Sequence, residues 1–186
     1  MRIISGKSRG TKLYTLEGLN TRPTLDRIKE PLFSIIQARI NDANVLDLFA
    51  GSGALGLEAL SRGAKSCTFC DSSYKAANII KMNIEKTKMN LNSNLIVLDY
   101  KMCLKKLKND GKLFDIIFID PPYNSELIFL SVKEIIEMDL LDKDGLIIAE
   151  TDDEETITNK INSLNIEIMD TRKYGRVTLL FIKRKG

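Results

Sequence analysis

From Asn44 to the end of the chain, short apolar runs alternate with segments of helical length, and no other feature restricts the fold as strongly. The apolar runs fall at 44 to 49, 66 to 71, 94 to 98, 114 to 119, 145 to 150, 165 to 170 and 177 to 183. The helical segments fall at 54 to 62, 73 to 88, 100 to 108, 126 to 137 and 153 to 163. A strand, a helix and a second strand form a right-handed crossover that lays the helix on the sheet and makes the strands parallel. The first five runs therefore predict a parallel sheet covered by helices. The last two are separated only by Arg172-Lys173-Tyr174-Gly175-Arg176, too short for a crossover, and predict an antiparallel hairpin at one edge. The expected class is α/β, with a Rossmann-like, seven-stranded, mostly parallel sheet.

Ahead of this alternation, residues 2 to 4 and 12 to 14 are apolar runs around Ser5-Gly6-Lys7-Ser8-Arg9-Gly10, which predicts a basic β-hairpin. Leu25, Ile28, Leu32, Ile35 and Ile36 then recur at helical spacing, giving a helix over 25 to 39 with Thr24 as its N-cap. Pro31 has no N–H for the Arg27 carbonyl, so a kink, or a second helix starting there, is expected. We read residues 1 to 40 as a basic hairpin-and-helix extension packed on a catalytic domain of residues 41 to 186.

Composition narrows the chemistry. The chain has no histidine, which removes Ser-His-Asp and Cys-His catalysis and leaves carboxylates, tyrosines, lysines and backbone groups. Cys67-x-x-Cys70 and Cys103 are too few ligands for a zinc site, and they read as reduced thiols. No metal and no membrane span are expected, and a start without a signal-like apolar run suggests a cytoplasmic protein. The net charge of +3 is unevenly placed. Residues 1 to 29 carry seven basic and two acidic side chains and residues 172 to 186 carry six basic and none acidic, leaving 15 basic and 23 acidic between them. Basic ends on an acidic body suit a polyanionic partner such as nucleic acid.

Two motifs carry the chemistry. In Asp47-Leu48-Phe49-Ala50-Gly51-Ser52-Gly53-Ala54-Leu55-Gly56 the glycines spell G-x-G-x-x-G between a strand and a helix, and Asp71 lies 20 residues beyond Gly51. This pattern fits a nicotinamide cofactor as well as S-adenosylmethionine. Asp47 favours the latter, since its carboxylate would meet the ammonium of a methionyl group but would repel a pyrophosphate. Asp71 has acceptors for both ribose hydroxyls, and Asp99 for an adenine amine, although either could simply cap a helix. The second motif is Asp120-Pro121-Pro122-Tyr123, in which an apolar strand stops at a stiff turn. Hydride transfer has no evident use for it. Asp47, Asp71, Asp99 and Asp120 thus close four successive strands at one edge, a costly crowding of carboxylates unless a donor-rich ligand sits among them.

With Asp-Leu-Phe-Ala-Gly-Ser-Gly at 47 to 53 and Asp-Pro-Pro-Tyr at 120 to 123, the chain resembles the S-adenosylmethionine-dependent methyltransferases of exocyclic amines. Arg2-Ile3-Ile4-Ser5-Gly6, Arg22-Pro23-Thr24-Leu25-Asp26-Arg27-Ile28-Lys29-Glu30, Phe33, Glu150 and the Lys173, Gly175, Val177 pattern are similar to one branch, the RsmD family of bacterial 16S rRNA guanine-N2 methyltransferases. The resemblance implies that fold and S-adenosylmethionine as cofactor, held by Asp47, Phe49, Gly51, Gly53, Asp71 and Asp99. It implies Asp120, Pro121 and Tyr123 around the amine, with the Asp120 carboxylate and the Pro121 carbonyl accepting its hydrogens and Tyr123 stacking on the base. It implies 16S rRNA or an assembling 30S subunit as partner of a monomer, with Lys7, Arg9, Arg22, Arg27, Lys173 and Arg176 as phosphate contacts around the crevice. A DNA adenine-N6 methyltransferase shares the Asp-Pro-Pro-Tyr motif, and a nicotinamide-dependent dehydrogenase shares the glycines. A binding module without catalysis is a further alternative.

Overall fold

The computed structural model describes residues 1–16, 23–122 and 125–186, with the side chains of 23–27 and 125 also outside the description. Seven strands form one sheet: β1 (Asn44–Asp47), β2 (Ser66–Cys70), β3 (Ser93–Ile96), β4 (Phe114–Ile119), β5 (Leu141–Thr151), β6 (Ile166–Tyr174) and β7 (Val177–Arg184). Their spatial order is β3-β2-β1-β4-β5-β7-β6. Strands β1 to β5 are parallel, while β7 runs antiparallel between β5 and the edge strand β6. The architecture is the one the alternation predicts, and the expected terminal hairpin lies at an edge.

Seven α-helices accompany the sheet among the described residues: α1 (Pro23–Ile35), α2 (Gln37–Ile40), α3 (Ala54–Ser61), α4 (Tyr74–Thr87), α5 (Tyr100–Asn109), α6 (Ser125–Glu137) and α7 (Glu154–Ile161). Side chains of α1 to α4 pack on one face of the sheet with Val45, Phe69, Ile116, Phe118 and Ile148. Those of α5, α6 and α7 pack on the other with Leu46, Ile117, Ile119, Ile147 and Ala149. Strand alternation sorts these residues, since successive side chains point to opposite faces. Cys67 and Cys70, three apart on β2, therefore enter different cores, and all three cysteines are buried and unbridged. No helix among the described residues is long and apolar enough to cross a membrane.

Several boundaries depart from the sequence expectation. Helix α1 begins at Pro23, where a missing N–H costs nothing in a first turn, so Thr24 lies inside the helix instead of capping it. The helix also continues through Pro31 and ends at Ile35, with α2 following after a single residue. Burial of Ile28, Leu32, Phe33 and Ile36 against the sheet holds the turn together despite the lost hydrogen bond. Strand β5 starts at Leu141 because Leu141 pairs with Phe114 before a register shift, although Lys143 and Asp144 between are exposed. Strand β6 extends to Tyr174 through Arg172 and Lys173, charges that an edge strand tolerates.

Residues 1 to 14 turn back on themselves as a short hairpin, with a bridge between Arg2 and Lys12 and backbone bonds from Ile3 N–H to the Thr11 carbonyl, Gly10 N–H to Ile3 and Leu13 N–H to Met1. Side chains of the helices beneath anchor this hairpin to the fold. Glu58 of α3, with no exposed side-chain surface, accepts the N–H groups of Ile4 at 2.8 Å and Ser5 at 3.0 Å. It also meets the buried ammonium of Lys29 at 3.3 Å and the guanidinium of Arg62 at 2.8 Å. Lys29 in turn donates to the Arg2 carbonyl. Asn83 of α4 bonds the Tyr14 N–H at 2.8 Å and its carbonyl at 3.0 Å, as a neighbouring strand would. Ile3 and Leu13 join the α1 to α4 core through this anchoring.

Removing one member of a buried ion pair leaves the other charge unpaired, at about 3 to 5 kcal/mol. Glu58→Ala should therefore destabilise the protein by roughly that amount in urea denaturation and raise amide exchange at Ile4 and Ser5 far more than in β4. Equal exchange in both places would show that Glu58 does not anchor the segment.

Candidate active site

Because β1 to β4 are parallel, the residues that follow them share one edge of the sheet, and Asp47, Asp71, Asp99 and Asp120 all lie there. The order β3-β2-β1-β4 places the chain reversal between β1 and β4, where open α/β sheets form a ligand crevice. Asp71, Asp47 and Asp99 belong to the β1 to β3 side, and Asp120 with Glu150 of β5 to the other.

On the first side, the loop after β1 is built by backbone bonds. The Gly51 N–H donates to Asp71 Oδ2 at 2.9 Å, Ala50 N–H to the Cys70 carbonyl at 2.9 Å, and Gly53 N–H to the Ala50 carbonyl at 2.6 Å. Gly51 has φ 56° and open space where a Cβ would stand, so the backbone there can be approached closely. Gly56 serves packing, since a Cβ would come within 2.4 Å of the Phe69 ring and 2.5 Å of Cys67 Sγ. Phe49 is half-buried and forms a tilted pair with Tyr100, ring centres 5.8 Å apart, giving that side an apolar aromatic wall.

The carboxylates differ in what they already hold. Asp47 is buried and accepts the Gly56 N–H at 3.0 Å through Oδ2, and burial, reinforced by the charge of Asp71, pushes its pKa up to about 7. Asp71 accepts Gly51 N–H on one oxygen and Ser73 N–H at 2.8 Å on the other. Asp99 is exposed and caps α5, its Oδ1 accepting from Lys101 at 3.0 Å and Met102 at 3.2 Å. The capping that the sequence left open is thus present, and Oδ2 stands outside it. A buried carboxylate held near neutrality, a loop with open backbone and an aromatic wall fit a ligand with one ammonium, hydroxyls and a flat ring.

On the second side, Asp120 and Glu150 line a recess with Ile28, Lys29 and Leu32 of α1, Leu55 of α3, and Phe118 and Leu179. Pro121 is buried and Pro122 exposed. Tyr123, which the resemblance implies stacks on the base, lies outside the described residues, as do Arg22 and the side chain of Arg27. Among the other basic residues, Lys173 and Arg176 are exposed at the β6–β7 turn on the same edge as Asp120, because β7 leaves that edge antiparallel to β5. Lys7 and Arg9 are not at the crevice. Lys7 N–H bonds the Ser61 carbonyl at the far end of α3, and eight residues of helix put that end about 11 Å from Ala54.

Sequence reading missed Glu58 and Asn83, and it included Lys29 only within the resemblance, without a role. The available signal was Glu58 itself, a lone charge in the apolar helix Ala-Leu-Gly-Leu-Glu-Ala-Leu-Ser, whose side chains are buried almost throughout.

A family model described as Conserved hypothetical protein 95 matches residues 1–183. YlbH of Bacillus subtilis is 35% identical over 186 residues, all of both chains. Ribosomal RNA small subunit methyltransferase D of Haemophilus influenzae is 35% identical over 162 residues, 87% of this chain and 84% of the relative. Among solved structures, yhhF of Escherichia coli matches with a TM-score of 0.84 at 31% identity, covering 100% of this chain and 98% of that one. Fold, glycine loop and relatives together define an S-adenosylmethionine-dependent methyltransferase, and they give no support to the dehydrogenase reading. Within that class the chain belongs to the RsmD family, over nearly its whole length.

Asp47 supplies a test with a definite sign. Its folded pKa of about 7 stands above the ordinary 3.8, so its ionisation opposes folding increasingly from pH 4 to pH 7 and by a constant amount above. Asp47→Asn, which keeps an acceptor for Gly56, should stabilise the free protein at pH 8 by at least about 1 kcal/mol. The same change should weaken S-adenosylmethionine binding roughly tenfold or more, and wild-type affinity should fall as pH drops from 8 to 6. Thermal denaturation and equilibrium dialysis measure both effects, and an unchanged affinity would remove Asp47 from the cofactor site.

Proposed function

We propose that this chain transfers a methyl group from S-adenosylmethionine to the exocyclic N2 of a guanine in small-subunit ribosomal RNA. The observation that carries the reading is Asp120 at the end of β4, one strand from the Asp47 end of β1, in a family whose relatives include ribosomal RNA small subunit methyltransferases. S-adenosylmethionine supplies an electrophilic methyl group on a sulfonium, and Asp47, Phe49, Gly51, Gly53, Asp71 and Asp99 are the residues that would hold it.

The remaining task falls to the chain's own groups. An aromatic amine is a weak nucleophile because its lone pair is delocalised into the ring. The Asp120 carboxylate and the Pro121 carbonyl each accept one N–H, which lets the nitrogen pyramidalise and directs its lone pair toward the methyl donor. Asp120 needs no raised basicity for this. After methylation the nitrogen is cationic and acidic, and its proton passes to Asp120 or to water. The base leaves its helical stack to reach the recess, and Tyr123 stacks on it.

Lys173 and Arg176 guide RNA to the catalytic edge, and Arg22 and Arg27 are further phosphate contacts on the family resemblance. Lys7 and Arg9 meet RNA at a second point, one helix length away. The substrate class implies a cytoplasmic protein, and a monomer carries every residue named.

Two measurements test this. Asp120→Ala should lower single-turnover methylation of 30S particles or 16S rRNA by about 10² to 10³-fold with S-adenosylmethionine affinity retained. A near wild-type rate, or label entering DNA alone, would refute the assignment. Replacing Lys173 and Arg176 by alanine should weaken RNA binding and reduce its salt slope by about 0.7 per lost phosphate contact, whereas an unchanged slope would place the RNA elsewhere.

A further inference from the structure

The recess beside α1 is lined by two carboxylates, each one residue beyond the last registered pair of β4 and β5. Ile119 of β4 pairs with Ala149 of β5, and both point into the α5 to α7 core. The residues that follow this pair, Asp120 just past the end of β4 and Glu150 on β5, both line the recess on the α1 face, as the alternation of side chains predicts. Neighbouring strands are about 4.8 Å apart, so the two side chains start side by side. Leu179, the register partner of Glu150 on β7, closes one flank, and the buried Lys29 contributes a positive charge to the wall. Two like charges so placed cost energy unless their partners supply several donors.

We propose that Glu150 is the residue that selects guanine, accepting the ring N1–H while Asp120 accepts an N2 hydrogen. This rests on the guanine-N2 reading above. Guanine carries N1–H and the N2 amine next to each other, a row of donors that matches two adjacent carboxylates. Adenine presents a bare N1 lone pair beside its amine, and cytosine presents N3 in the same way. Either would set a lone pair against the Glu150 carboxylate. A site built to receive a particular N–H rejects analogues that lack it far more strongly than an apolar pocket rejects a change of size. Glu150 thus performs a task that Asp-Pro-Pro-Tyr alone cannot, because that motif is indifferent to the ring atom next to the amine.

The test uses RNA in which the guanine that accepts label is replaced by 2-aminopurine, which keeps the 2-amino group but has a lone pair at N1. The wild-type protein should prefer guanine by at least about 100-fold in kcat/KM. Glu150→Gln, whose amide can donate to N1, should narrow the preference to within about tenfold. Glu150→Ala should slow guanine methylation and leave 2-aminopurine nearly unchanged. Equal S-adenosylmethionine affinity in all three proteins certifies folding, and Glu150→Asp, which keeps the charge, replaces any variant that loses it. If Glu150 only holds α1 in place, both substrates slow in proportion and the preference stays fixed in every variant, which would overturn the proposal while leaving guanine methylation intact. Absence of label from guanine in the wild type would instead overturn the guanine reading itself, and the proposal with it.

Discussion

One buried carboxylate ties the basic N-terminal segment to the catalytic fold. Glu58 takes two backbone N–H groups from residues 4 and 5 and faces the cations of Lys29 and Arg62, all within 3.3 Å. A carboxylate with no exposure would be expensive alone, and here its acceptor capacity is filled by donors from three parts of the chain. The consequence reaches the active site, because Lys29 belongs to the wall of the recess that holds Asp120 and Glu150. The same contacts place Ile3 and Leu13 in the core with α1 to α4, so the segment is part of the scaffold around the recess.

The sheet order divides the labour. To one side of the β1–β4 boundary lie the glycine loop, Asp71 and Asp99, whose oxygens already organise the loop and the start of α5. To the other lie Asp120 and Pro121, just beyond β4, and Glu150 on β5, strands that pair with each other and with β1 and β7. A methyl donor and an acceptor amine held on the two sides would meet over the boundary, with backbone and rigid strand ends fixing both. Positioning of this kind is the principal resource of a chain without histidine.

Much of this was legible before any coordinates. The alternation of runs from Asn44 onward predicts all seven strands and the parallel set, because period and length report which faces are buried. The four strand-end aspartates could be aligned on one edge from topology alone. Boundaries were less accessible. Pro31 ought to interrupt α1, yet the packing of Ile28, Leu32, Phe33 and Ile36 outweighs one lost hydrogen bond. Lys7 and Arg9 read as crevice residues because they share a charged segment with residues that do approach it, and only the turn at the end of α3 separates them.

The sequence by itself determined the class of fold, the glycine loop after β1 and the Asp-Pro-Pro-Tyr turn after β4, since each depends on residues close together in the chain. Tertiary structure decided which distant charges meet. Glu58 with Lys29, Asn83 with Tyr14, and Asp120 beside Glu150 are separated by about 30 to 70 residues, and no local periodicity records their pairing. The physical reason is that strand register and helix docking are set by the whole core, so the partners of a buried polar group appear only once that core has closed.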